Sequence, residues 1–242
     1  MRSIVRRVVL QGLSFAVGNN DGKIVFYHDI FKSNKCYDHA TSFPLFSSHI
    51  QEAKRIGYKH VSGLPVEKKS FHICFDDGFR GILECRRELD SLGIKPTVYI
   101  AVDLIGKPGF LTKNEILDLQ DEGYDFQSHT WSHEYLPMYD GLALKHELDD
   151  SKKWLSDFLQ KDVDQVCFPR GLFTQRVYKA SLEAGYKYLV SSIPGSINEG
   201  VMPHVLPRNL IQDYSAKEFG YVLKGGLSCF KGKYLKRHFV EG

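Results

Sequence analysis

Short apolar runs alternate with helical patterns along most of the chain. "KIVFYHDI" (23–30) is rich in β-branched and aromatic residues and reads as a strand. Phe46, Ile50, Ala53 and Ile56 recur at helical spacing over 42–57, and the pattern ends at Gly57. "KHVS" (59–62) and "FHICF" (71–75) read as strands, and 79–92, with Ile82, Leu83 and Leu89, as an amphipathic helix stopped by Gly93. "TVYIAV" (97–102) is the next strand. Thr112 with Glu115 three residues on is a capping-box signature for the helix after it. "YDFQSH" (124–129) is a short strand, and 139–160 a long helix with Leu144, Leu148, Leu155 and Leu159 on one side. "QVCFP" (165–169) is a strand closed by proline, 174–185 a helix ended by glycine, "YKYLV" (186–190) a strand and "HVLPRNLI" (204–211) another. Ser215 with Glu218 starts a last capped helix, and the basic tail from Lys231 reads as frayed.

Strand and helix thus alternate seven or eight times, which argues for a parallel sheet with helices outside. Closure into a distorted (β/α)7–8 barrel is the natural solution at this length, as a single α/β domain spanning 1–242 with its core at 22–212. No GxGxxG follows a strand, so a Rossmann fold is a poor fit.

Composition narrows this little. The 242 residues are 43% hydrophobic and 25% charged, as in a soluble globular protein, and a net charge of +3 does not argue for nucleic acid. Five cysteines (Cys36, Cys74, Cys85, Cys167 and Cys229) form no CxxC pair, and several sit in apolar runs. That favours reduced, buried thiols over a disulfide framework or a cysteine zinc site. The N-terminal "MRSIVRRVVLQGLSFAVG" has a basic start, but Gln11, Gly12 and Ser14 interrupt its apolar core, and no run approaches the roughly 18 residues of a spanning helix. It reads as mature protein. The expectation is cytoplasmic work on a nucleotide- or lipid-linked precursor, with a membrane-peripheral place and export by an unusual signal both left open.

The chemistry lies at the strand ends, where α/β barrels carry their sites. After the first strand stand His28 and Asp29; after "FHICF", Asp76 and Asp77; after "YDFQ", His129 and His133; after "QVCF", Arg170; after "HVL", Arg208. Two imidazoles four residues apart share a face on a helical turn, and with one carboxylate they make a common divalent-metal set. Two adjacent buried aspartates resist joint ionisation unless a cation offsets them. The competing readings are chance spacing for the histidines and Asp-Asp-Gly turn chemistry for the carboxylates.

These residues carry a resemblance to a known family. "CFDDGF" resembles the TFDDG motif of the polysaccharide deacetylases (the NodB-homology group, carbohydrate esterase family four), with Cys74 in place of threonine. "SHTWSH" resembles their H-(S/T)-x-x-H motif, and "CFPRG" a variant of their third motif, YPYG. The family's late Asp-Trp and Leu-x-His motifs are absent. "VFYHDI" instead resembles the subgroup with circularly permuted motifs, which includes the poly-N-acetylglucosamine deacetylases, and "LPRN" resembles a segment near the end of such proteins.

The resemblance implies a NodB-like barrel and metal-dependent removal of an acyl group from an N-acylated sugar or polysaccharide. It implies Asp76 as general base, Asp77, His129 and His133 as metal ligands, and His28 as general acid. Zinc is the default metal, with cobalt, nickel or iron compatible. Arg208 is the candidate to orient the Asp76 carboxylate, and Arg170 could do so instead or contact substrate. The alternatives are a same-fold deformylase or amidase on a lipid-linked or non-sugar amide, a carbohydrate-binding homologue with weak or no catalysis, and a site completed by a partner.

Overall fold

The computed structural model describes residues 2–16, 18–33, 35 and 37–240, so Cys36 lies outside the described residues. The chain runs through α1 (Arg2–Ala16), β1 (Lys23–Tyr27), β2 (Ile30–Phe31), β3 (Thr41–Ser42), α2 (Phe43–Arg55), β4 (Lys59–His60) and β5 (Ser70–Phe75). It continues with α3 (Gly81–Glu84), α4 (Arg86–Ser91), β6 (Thr97–Ile100), α5 (Lys113–Asp121), β7 (Asp125–Ser128) and α6 (Gly141–Lys145). A π turn (His146–Asp150) leads into α7 (Ser151–Leu159), then β8 (Gln165–Cys167), α8 (Gln175–Glu183) and β9 (Tyr188–Val190). It ends with β10 (Val205–Leu206), β11 (Asn209–Leu210), α9 (Ala216–Leu223) and α10 (Lys231–His238).

Among the described residues, nine strands form one parallel sheet in the order β10-β9-β8-β7-β6-β5-β1-β11, with β4 paired to the start of β5. Every residue of β1 and β5 is buried, as expected for parallel strands covered on both faces. The pleat divides them. Val25, Tyr27, Ile73 and Phe75 pack into the large core that also takes in the helices, while Ile24, Phe26, Cys74, Tyr99 and Cys167 fill the inside of the curl. A polar layer crosses the interior below the site: Tyr99 Oη donates to Gln165 Oε1 (2.7 Å), and the Gln165 N–H to Gln127 Oε1 (3.0 Å).

The curl is closed by the chain itself. β10 and β11 are consecutive, yet β10 pairs with β9 at one edge and β11 with β1 at the other. Pro207 and Arg208 make the crossing. Pro207 has no N–H to continue a ladder, so the single strand expected over 204–211 is two, and the step between them puts Arg208 at the seam.

Other boundaries also move. The helix expected over 79–92 breaks at Cys85 into α3 and α4. The long helix expected over 139–160 begins at Gly141 and contains the π turn. The strands at 23–30, 59–62 and 97–102 are shorter than their apolar runs. Both capping boxes are formed, Thr112–Glu115 on α5 and Ser215–Glu218 on α9. Cys74, Cys85 and Cys167 are buried, whereas Cys229 is exposed.

Both termini are more ordered than the sequence suggested, and the frayed reading of the C-terminal tail is overturned. The segment left without an element forms α1, whose Leu10 and Ser14 are buried and which packs on α9. The tail read as frayed is α10 followed by a docked end: the Phe173 N–H donates to the His238 carbonyl (2.9 Å) and the Val240 N–H to the Phe173 carbonyl (3.0 Å). Leu235 and Phe239, four apart among the basic residues, belong to the large core, and Phe239 meets Phe173 at 5.3 Å between ring centroids. A basic composition masked that apolar pair.

Candidate active site

Three strands deliver side chains to one point by the same geometry. Successive residues of a strand face opposite sides, so a residue two beyond an inward one also points inward. His28 follows Phe26, Asp76 follows Cys74 and His129 follows Gln127 in this way. The pleat would send Asp77 outward. Instead Asp77 adopts φ 72° and Gly78 φ 80°, so the chain turns back and both aspartates reach the site. Gly78 is required for a second reason: a Cβ there would lie 2.8 Å from the Ile100 side chain.

The HTWSH segment is not a helical turn, contrary to the sequence reading. Residues 129–133 form a loop in which Thr130 (φ 69°) and His133 (φ 64°) are left-handed. A β-branched residue at positive φ is a strained conformation, and such strain concentrates where side chains must be aimed. The bend brings the two imidazoles to 4.8 Å between ring centroids at 64°.

Asp77 Oδ1 lies 3.2 Å from His129 Nε2 and 3.0 Å from His133 Nε2, yet it is buried with no hydrogen-bond partner of acceptable geometry. His129 explains this. Its Nδ1 lies 2.7 Å from the Cys167 carbonyl, which can only accept, so Nδ1 carries a proton, and the tautomer with its single proton there offers the Nε2 lone pair on the Asp77 side. With both imidazoles neutral, their Nε2 lone pairs and the buried carboxylate oxygen would repel unless a cation lay between them. The three side chains therefore fit a divalent metal, and their donor atoms are close enough to share one. Without metal, burial pushes His133 down but the neighbouring Asp77 more than reverses this, so its net direction is up. A cation binding there displaces a proton.

Asp76 faces a different set. Arg208, with no solvent exposure, grips it with both ends of its fork: Nη1 to Oδ1 at 2.6 Å and Nη2 to Oδ2 at 2.9 Å. Arg208 Nε also donates to the Ser191 carbonyl (3.0 Å), and the guanidinium lies 4.1 Å over the Phe26 ring. Burial alone would raise the Asp76 carboxyl. The guanidinium, helped by His129 and His28, reverses that and holds it below the ordinary range. Cys167 sits in the same cluster, its Sγ 3.0 Å from Arg208 Nη2 and 3.8 Å from Asp76 Oδ2. Burial drives its thiol well up, so it stays protonated and makes a poor ligand. Cys74, at the threonine position of the motif, is likewise buried and pushed up to about 12.

His28 lines the same cavity. Its Nδ1 lies 3.2 Å from Gln212 Nε2, and burial lowers its pKa. A half-turn of the Gln212 amide would present its oxygen instead, so Gln212 can serve either protonation state of the ring. Arg170, in a left-handed turn at φ 59°, is exposed and lines the cavity without an ion pair among the described residues. Of the two arginines, Arg208 and not Arg170 is the partner of Asp76.

Other residues here had no sequence signal of their own. Glu147, buried in the π turn, accepts from the Trp131 and Ser132 N–H groups (3.1 Å each) and from Ser132 Oγ (2.6 Å). One carboxylate thus ties down the loop between the two histidines. Exchanging it for an amide keeps an oxygen for the two N–H groups but removes the charge that strengthens those bonds and forces the Ser132 hydroxyl to turn from donor to acceptor. Glu147→Gln is expected to weaken zinc binding to the metal-free protein by about 10–100-fold, read by calorimetric titration. Unchanged affinity would show that the loop holds itself. Tyr234, Arg237 and His238 of α10 line the far wall of the cavity, which has a volume of about 570 Å³.

Comparison with known proteins places this geometry. YxkH of Bacillus subtilis (strain 168) is 24% identical over 196 residues, 76% of this chain and 69% of that one. Among solved structures, the Streptococcus pyogenes deacetylase PplD, determined in complex with acetate, superposes with a TM-score of 0.73 at 21% identity, covering 84% of this chain and 98% of that one. IcaB from Ammonifex degensii gives a TM-score of 0.70 at 15% identity, covering 86% and 98%. At these identities the structures establish a shared fold, the NodB-like barrel of parallel strands. The family model for polysaccharide deacetylase matches residues 63–189, over half the chain and the stretch holding both the Asp-Asp pair and the His pair. The chain belongs to the polysaccharide deacetylase family.

Proposed function

We propose that the protein is a metal-dependent hydrolase that removes the N-acyl group, acetyl by default, from an N-acylated sugar of a polysaccharide or its precursor. One observation carries the metal: a buried, unpartnered Asp77 oxygen with the Nε2 atoms of His129 and His133 converging on it. Zinc suits this His2Asp donor set, and cobalt, nickel or iron would fit as well. Such an ion supplies a Lewis acid and acidifies water at neutral pH.

The remaining chemistry belongs to side chains. Asp76, kept anionic by Arg208, takes the proton from the attacking water. A backbone N–H beside Pro169 is the candidate donor to the oxygen that gains charge. His28, which follows β1 on the other side of β5 from His129 in the sheet, protonates the departing amine, which leaves poorly as an anion. Arg170 and Arg237 on the cavity wall are placed to contact substrate. Tyr37, also lining the cavity, stacks at 4.4 Å on Phe79, and Phe79 at 4.6 Å on Phe110, an aromatic shelf of the kind that receives sugar faces.

The test is direct. Purified protein is expected to hold about one divalent metal per chain, to release acetate from N-acetylglucosamine oligomers, to lose this on chelation and to regain it with zinc. Release of acetate that survives complete metal removal would overturn the mechanism. A metal-loaded protein that releases formate from N-formyl sugars, but no acetate, would move the substrate to the deformylase alternative.

A further inference from the structure

Helix α1 carries an apolar face that no other described residue covers. Arg6, Leu10, Leu13 and Ser14 turn toward the body of the protein, while Ile4 (68% exposed), Val5 (58%), Val8 (63%) and Phe15 (81%) point to solvent. With Val9, these make five of the eleven large hydrophobic side chains exposed among the described residues, gathered on one helix of fifteen residues. An exposed patch of this kind marks a contact with something apolar.

Charge identifies the partner. α1 contains Arg2, Arg6 and Arg7 and no acid, and α10 contains Lys231, Lys233, Lys236 and Arg237 and no acid. Arg6 is spent on Glu218 (2.7 Å) and Asp213 (3.3 Å), the nearby acids. Arg7, Lys233, Lys236 and Arg237 are exposed. Four exposed cations on two adjoining helices are a local concentration in a chain whose net charge is only +3. The helices adjoin: Arg6, Val9 and Leu10 share a groove with Phe230, Lys233 and Tyr234. Tyr214, Leu227 and Tyr234 line both this groove and the active-site cavity, so the cavity opens beside the same surface.

We propose that α1, together with the basic side of α10, docks the protein on an anionic lipid bilayer. A helix of this length is about 22 Å long, less than the hydrocarbon thickness. It lies in the interface, with Ile4, Val8 and Phe15 among the acyl chains and the cations at the headgroups. The mouth of the cavity then rests near the lipid surface, where an amphiphilic acylated sugar can enter without leaving the membrane.

Sedimentation with vesicles tests this without reference to catalysis, so its failure leaves the deacetylase reading standing. The protein is expected to sediment with vesicles of equal parts phosphatidylglycerol and phosphatidylethanolamine, to sediment weakly with phosphatidylcholine alone, and to be released by salt. Val8→Glu with Phe15→Glu is expected to weaken binding on the order of 100-fold, at unchanged melting temperature, since both side chains are exposed. Lys233→Glu with Lys236→Glu is expected to weaken it at low salt and hardly at high salt. No sedimentation with the anionic vesicles, or equal sedimentation of the Val8→Glu/Phe15→Glu variant, overturns the proposal. So does a dimer in analytical ultracentrifugation that the same variant converts to monomer, which would make a second copy the cover of this face.

Discussion

Asp76→Asn is expected to lower kcat for sugar deacetylation by about 10²–10⁴-fold, the range a positioned general base contributes. The amide keeps the shape of the side chain and removes its capacity to take a proton. Metal content is expected to stay at the wild-type level, because the proposed ligands are Asp77, His129 and His133, and Asp76 is held by Arg208 instead. KM is expected to change little, since the substrate is held by the cavity walls and not by the base. The combination separates proton transfer from metal binding: Asp77→Ala loses metal and activity together, Asp76→Asn loses activity alone. Full activity of Asp76→Asn would remove Asp76 from the chemistry. Loss of metal in that variant would mean that the two carboxylates share the ion.

Much of the barrel was legible because parallel strands covered on both faces read as continuous apolar runs, and "FHICF" and "TVYI" are of that kind. Helices with a capping box were legible for the same reason of local chemistry: Thr112 and Ser215 each meet a glutamate three residues on. What escaped depended on contacts between distant segments. The break of 204–211 into two strands serves opposite sheet edges, and only the curl of the sheet brings those edges near each other. α10 looked like a solvated tail because five of its eight residues are basic, and its docking rests on Leu235 and Phe239 finding Phe173.

The site divides along the same line. Asp77, His129 and His133 announced themselves by residue type and spacing, but the reason given for the pair of histidines, a helical turn, was the wrong one. Left-handed Thr130 and His133 do that work, and positive φ at a non-glycine residue leaves no mark in a sequence. Glu147 and Cys167 could not be singled out, because nothing in the sequence near either residue shows that it will meet the HTWSH loop or the Asp76–Arg208 pair.

Arg208→Met is expected to destabilise the protein by about 3–5 kcal/mol in urea denaturation at neutral pH. The cost is not the loss of a favourable ion pair as such. Desolvation nearly cancels the attraction in a buried pair, and well-packed apolar residues often replace both partners at no loss. What is expensive is the Asp76 carboxylate left in a dry interior with its counterion gone. The pH dependence exposes this. In the wild type the folded-state pKa of Asp76 is depressed, so the pair's contribution is present above the ordinary aspartate range and is lost as pH falls through the depressed value. In Arg208→Met burial acts almost unopposed and raises that pKa. The variant then binds a proton at Asp76 on folding, and the deficit relative to wild type should shrink as pH falls from 8 to 5. Asp76→Asn in the Arg208→Met background should recover part of the lost stability, since it removes the stranded charge. A deficit independent of pH, with no recovery in the double variant, would mean that Arg208 matters for packing against Phe26 and Tyr99 rather than for charge. If the deficit follows pH as expected, the pair keeps Asp76 anionic on the wall of the cavity, which the proposed base needs and a stable fold alone does not.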